Sequence, residues 1–134
     1  MIKNKGFSLI ELLIVILILA VLTGIAIPTY MLVTARAKES GVESEMMNIA
    51  KALELHNIDD QVYPDPGSYP DILEERNYMT LVPINDLWEN EYIYDSDGNS
   101  YTLESHGIDG VNGGNNDIVI SSGVMTEYGA YRNR

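Results

Sequence analysis

The chain has no cysteine, so no disulfide staples it. It has one tryptophan, one phenylalanine and two histidines in 134 residues. Positive charge is also scarce: eight Lys and Arg stand against twenty Asp and Glu, a formal net charge of −12. Binding a nucleic-acid backbone relies on clustered Lys and Arg, so this deficit argues against nucleic acid as a partner. The acids keep an exported domain soluble or suit divalent cations. Missing too are a Ser, His and Asp order for nucleophilic catalysis, a phosphate-cradling glycine loop and a zinc-ligand spacing. Neither His56 nor His106 has a nearby nucleophile or an acid at transition-metal spacing; both read as structural, and the chain does not read as an enzyme. The last shortage is local. From Phe7 to Ile27 there are 21 residues and a single charge, Glu11.

An apolar run of that length spans a bilayer as a helix. A lone carboxylate inside it is costly and by default functional. The leader, residues 1–6, is short and basic, and Lys3 and Lys5 put the N-terminus on the cytoplasmic side with the C-terminal domain outside the inner membrane. Ala20-Val21-Leu22-Thr23-Gly24 mimics a signal cleavage site, but the apolar run exceeds the about 7–15 residues of an ordinary secretory signal. Gly24 and Pro28 bracket a weak point, since proline lacks an amide hydrogen and glycine adds backbone freedom; a static kink and local unwinding both fit.

Beyond Pro28, Val42, Met46, Ile49, Leu53 and His56 recur at spacings of three and four, one stripe on an amphipathic helix. One helix over 7–57 is therefore expected, apolar all round over 7–27 and one-sided later. Residues 58–134 are the expected globular head. Asp59-Asp60, Pro64, Pro66, Gly67 and Pro70 end the helix and open a loop. Residues 71–78 suit a short helix. Residues 91–94 and 100–105 alternate in the strand period around a turn-rich connector and predict an antiparallel hairpin, with 117–121 a third strand. Trp88 reads as a packing anchor between loop and sheet, and 126–134 as a mobile tail. The fold class is α+β: a long N-terminal helix packed on a small antiparallel sheet.

The stretch Ser105–Asp117 holds four glycines, three asparagines and two aspartates. Glycine lets carbonyls turn inward, and Asp and Asn supply hard oxygens, which suits calcium. The spacing is not that of an EF-hand. A metal-free turn, in which Gly, Asn and Asp serve only backbone geometry, is the alternative.

Gly6-Phe7-Ser8-Leu9-Ile10-Glu11, running into the apolar segment, resembles the class III signal of type IV pilins and type II secretion pseudopilins. The resemblance implies that a prepilin peptidase cuts between Gly6 and Phe7 and methylates Phe7. Glu11 lies four residues beyond that new amine, about 6 Å along a helix. A subunit displaced by that much in a helical homopolymer brings its own Phe7 amine to a neighbour's Glu11, so that two buried charges are neutralised together. A shallow Glu11 reaching the headgroups is the alternative. Tyr63-Pro64, Tyr69-Pro70, Trp88, Tyr101-Thr102-Leu103-Glu104-Ser105 and Gly107-Ile108-Asp109-Gly110 with Gly113-Gly114 and Asp117-Ile118 are similar to the major pseudopilin of type II secretion, over most of 7–120. That resemblance implies a structural calcium held by Asp109, the backbone carbonyl of His106 and Asp117, with Asn116 the alternative to Asp117. It also implies an inner-membrane assembly platform and minor pseudopilins as partners, and a filament that pushes proteins outward. Asn115 and Asn116 stand where acids are common in that family, and the tail after Ser121 departs from it. Two other readings remain: a type IV pilin for adhesion, motility or DNA uptake, and a membrane-anchored calcium-binding domain that does not polymerise.

Overall fold

The computed structural model describes residues 6–131. The leader positions 1–5, with Lys3 and Lys5, lie outside the described residues, as do 132–134. Helix α1 (Leu9–Asp60) is 52 residues long. The chain forms two compact units, one up to Ala35 and one from Arg36.

In the first unit every described residue from Gly6 to Val33 is exposed. A helix in water buries one apolar stripe. This one is apolar on all sides and buries none, and it is long and apolar enough to cross a membrane. Gly24 and Pro28 both lie inside continuous helix, with no unwound turn between them. Pro28 has no N–H to give the carbonyl of Gly24. The hydroxyls of Thr23, Thr29 and Thr34 bond back to the carbonyls of Leu19, Ile25 and Tyr30 at 2.7, 3.1 and 2.8 Å, so these polar side chains are satisfied within the helix itself.

In the second unit α1 buries Val42, Met46, Ile49, Leu53 and His56, the stripe read from the sequence, together with Glu39, Ala50 and Ala52. The helix runs three residues past the expected end at Asn57. Acids at a helix C-terminus oppose its dipole, and here they are compensated: Asp59 accepts the Tyr78 hydroxyl at 2.5 Å, Asp60 accepts Arg76 at 2.9 Å, and His56 Nε2 lies 3.3 Å from Asp60. Gln61 then leaves the helix at φ 58°.

Helix α2 (Asp71–Glu75) falls where a short helix was expected. The sheet comprises β1 (Ile93–Ser96), β2 (Tyr101–Ser105), β3 (Ile118–Ser121) and β4 (Val124–Glu127), antiparallel in the order β1-β2-β3-β4. In the β1–β2 turn, the Asp97 carboxylate accepts the N–H groups of Asn99 and Ser100 and the Ser100 hydroxyl. The Ser100 and Asn99 amides hold this carboxyl below the usual range. The core joins the α1 stripe to Leu73, Val82, Leu103, Ile118, Ile120 and a group of tyrosines, with Trp88 packed against it as expected.

The expected mobile tail is corrected. Thr126 and Glu127 belong to β4, which pairs Ser121 with Val124 and Ile120 with Met125. Ser122 and Gly123 both have positive φ, 45° and 80°, the geometry of a tight two-residue hairpin turn. The chain then returns to α1. The Tyr131 N–H donates to both carboxylate oxygens of Glu39 at 3.0 Å. Gly129 packs so closely on that carboxylate that a β-carbon would overlap it. Glu39 is only 5% exposed. Hydrogen bonds to charged groups carry more stability than neutral ones, so Glu39→Ala is expected to cost about 2 kcal/mol in thermal or chemical denaturation of the full chain. An unchanged transition would show that the tail is not fastened there.

Candidate functional site

Two places carry the residues singled out from the sequence. The first is the start of α1. Gly6 and Phe7 precede the helix and are exposed, Phe7 to 78%. Ser8 occupies the capping position: its hydroxyl faces the Ile10 N–H at 3.4 Å, and Glu11 Oε2 reaches back to accept the Ser8 N–H at 2.9 Å. The Glu11 bond is the glutamate half of a capping box, Ser-x-x-Glu; the Ser8 hydroxyl caps the amide of Ile10, while that of Glu11 donates to the Ser8 backbone carbonyl at 3.1 Å. Ser8-Leu9-Ile10-Glu11 spells the signature, but reading Glu11 only as a charge, against a neighbour's amine or the headgroups, passes over its local bond. The carboxylate thus has an intramolecular partner, and that bond uses one of its two oxygens.

The second place is the loop after β2. Gly107–Asp109 form a single 3-10 turn, closed by Gly110 in the left-handed region at φ 66°. Gly107 also has positive φ, 62°, and a β-carbon there would overlap the Asn116 backbone carbonyl, so only glycine fits. The Asn116 amide donates to the His106 carbonyl at 3.3 Å. Its side chain also bonds to Asp109; that bond, followed by the Val111 N–H, holds the Asp109 carboxyl below its ordinary range. The structure therefore brings together Asp109, Asn116 and the His106 carbonyl. Asp117 is placed differently: Oδ2 accepts the Gly113 N–H at 2.7 Å, while Oδ1 is enclosed without a hydrogen-bond partner in a residue only 6% exposed. A buried, orphaned carboxylate oxygen is costly, and a cation is one group that would satisfy it. Among the described residues no three His, Cys, Asp or Glu side chains cluster as a metal site. A cation here would draw on carbonyl and asparagine oxygens besides the two aspartates, a donor set that fits calcium and not a transition metal.

The surroundings of the loop were not read from the sequence. Asp86, 5% exposed, accepts the N–H groups of Trp88 and Asn90 on Oδ1, each at 2.9 Å, and the Ser105 hydroxyl on Oδ2 at 2.7 Å. Asn90 donates from its side-chain amide to the Gly107 carbonyl at 2.7 Å. Asp86-x-x-x-Asn90 gives no signal for the loop, since the partners that tie it there, Ser105 and Gly107, lie 19 and 17 residues further along the chain.

A helix apolar on every side in one stretch and one-sided in the next, with a small antiparallel sheet, is a pilin-like α+β layout whose first stretch is long and apolar enough to cross a membrane. Known proteins agree. Residues 1–27 match the prokaryotic N-terminal methylation motif, and residues 29–122 match type II secretion system (T2SS), protein G. The type II secretion system core protein G of Vibrio cholerae serotype O1 is 30% identical over 125 residues, 84% of this chain and 86% of its own length. Those of Pseudomonas aeruginosa and Escherichia coli are each 28% identical, over 130 and 131 residues, covering 86% and 87% of this chain and 91% and 90% of their own. No solved structure matches the chain. The chain belongs to the type II secretion system protein G family.

Proposed function

We propose that this chain is the structural subunit of a pseudopilus that drives protein export in a type II secretion system. The observation that carries this reading is the match to protein G over residues 29–122, joined to an apolar first stretch of α1 whose residues up to Val33 are all exposed. In this reading prepilin peptidase removes residues 1–6 and methylates Phe7. The helix anchors the subunit in the inner membrane, N-terminus in the cytoplasm and head outside, until the assembly platform adds it to a helical homopolymer tipped by minor pseudopilins. Glu11 then meets the Phe7 amine of a neighbour. Family membership favours secretion over the type IV pilin alternative. The test is removal of the chain from its host: the exported proteins are expected to accumulate inside the cell, and resupply to restore their release. Normal export without the chain would overturn the reading.

The loop after β2 is proposed to hold a structural calcium, with Asp109, the His106 carbonyl and Asp117 as donors and Asn116 the alternative to Asp117. Calcium would tie the two ends of the loop and supply no chemistry. Ligand binding to the native state alone stabilises it by about 2.7 kcal/mol at a hundredfold excess over Kd. Chelation is therefore expected to lower the melting temperature of the full chain in detergent, and Asp109→Ala to abolish that response. A wild-type transition unmoved by EDTA would sink the proposal.

A further inference from the structure

The geometry points to Asp86, Ser105 and Asn90 as positioning residues that aim the His106 carbonyl and Asp109 at a cation without ligating it. This rests on the calcium reading above. Gly107 is held at both of its backbone polar groups: its N–H donates to Ser105 Oγ at 3.2 Å, and its carbonyl accepts the Asn90 amide at 2.7 Å. The peptide between His106 and Gly107 is a plane in which the carbonyl and the N–H point in opposite directions. Seating the Gly107 N–H on Ser105 therefore turns the His106 carbonyl away from Ser105, to the side where Asn116 meets it. Ser105 can accept that N–H only with its own hydrogen turned elsewhere, and Asp86 Oδ2 takes that hydrogen at 2.7 Å. Ser105 is fully buried, out of reach of bulk water. Asn90 fixes the next peptide plane, and its side chain lies against Gly110, where a β-carbon would come within 2.8 Å of Asn90 Oδ1. The 3-10 turn that carries Asp109 is gripped at both ends.

Asp86 thus sits at the root of a relay, carboxylate to hydroxyl to peptide plane to carbonyl, and Asn90 is its second arm. Residues that orient metal ligands from behind set affinity, their loss costing about 10–100-fold. A residue with only a structural role would lower stability and leave affinity alone.

The experiment is calcium titration calorimetry on the mature full chain in detergent, beside the melting temperature of the chelated protein. Ser105→Ala and Asn90→Ala are each expected to raise the calcium Kd about tenfold or more. Tyr63→Phe, which removes a bond to Glu54 on α1, is the control: its chelated melting temperature falls and its Kd holds. Asn90 is only part-buried, so Asn90→Ala serves if Ser105→Ala fails to fold. Wild-type Kd in a folded variant overturns the positioning role while leaving the calcium site standing. A wild type that takes up no calcium overturns both.

Discussion

Glu11→Gln is expected to leave the subunit in the membrane with an intact helix and to abolish filaments. The capping bond of Glu11 and its proposed pairing with a neighbour's Phe7 amine can be separated by one substitution. Glutamine serves in a capping box as glutamate does, so its amide oxygen can still accept the Ser8 N–H that Glu11 takes at 2.9 Å. What glutamine cannot do is neutralise the Phe7 amine of a neighbouring subunit. Leaving a buried charge without its partner costs about 3–5 kcal/mol. Each 1.4 kcal/mol is a factor of ten in an association constant, so an interface weakened by that amount loses about 100-fold or more in affinity, and a polymer repeats the loss at every subunit. Ser8→Ala tests the other duty. It removes a cap worth about 1 kcal/mol and keeps the charge, so filaments should persist. The measurement is the filament fraction sheared from cells, set against the amount of protein in the membrane. Filaments at wild-type levels in Glu11→Gln would show that Glu11 is there for the helix alone.

The elements legible in the sequence were those with a local period. The stripe Val42, Met46, Ile49, Leu53 and His56 was readable because a helix returns a face every three or four residues, and all five side chains are buried. The hairpin of β1 and β2 was readable from alternation around a turn. Strand β4 was not: Val124-Met125-Thr126-Glu127 is short and mostly exposed, so its alternation has little burial to express, and only Ser122-Gly123 marked it. The contacts that shape the sites were long-range. Glu39 meets Tyr131 across 92 residues, and Asp86 meets Ser105 across 19. Nothing local to a carboxylate says which distant amide will find it. The loop composition pointed to a cation site. Its internal arrangement, with Asn116 against Asp109 and the His106 carbonyl and Asp117 turned to Gly113, came only from the fold.

Alkali is expected to unfold the head in one cooperative step beginning near pH 10. Four tyrosine hydroxyls are held neutral by the fold, burial being the main cause in each. Tyr94 is pushed up to about 12 from 10.0, and Tyr69, Tyr92 and Tyr101 further still, with the Glu45 carboxylate adding to the effect at Tyr92. The sign follows from proton counting. Above pH 10 the unfolded chain has lost protons that the folded chain keeps, so stability falls as pH rises. The stabilisation is whole below pH 10 and drains from there up to the folded values, the share of Tyr94 being the first exhausted, at about 12. The rings touch in sequence: Tyr69 stacks on Tyr94 at 4.4 Å, Tyr94 meets Tyr101 at 6.0 Å and Tyr101 meets Tyr63 at 4.8 Å. Ionising one therefore loosens the next. Tyrosinate absorbance from these rings should rise together with the loss of near-ultraviolet circular dichroism. Free titration at 10.0 with the dichroism intact would contradict their burial. Tyr69→Phe sharpens the test. The Tyr69 hydroxyl is enclosed without a hydrogen-bond partner, so removing it relieves a desolvation cost of about 1–3 kcal/mol and deletes one ionisable group. The variant should be as stable as wild type or more so at neutral pH, and its alkaline midpoint should move up.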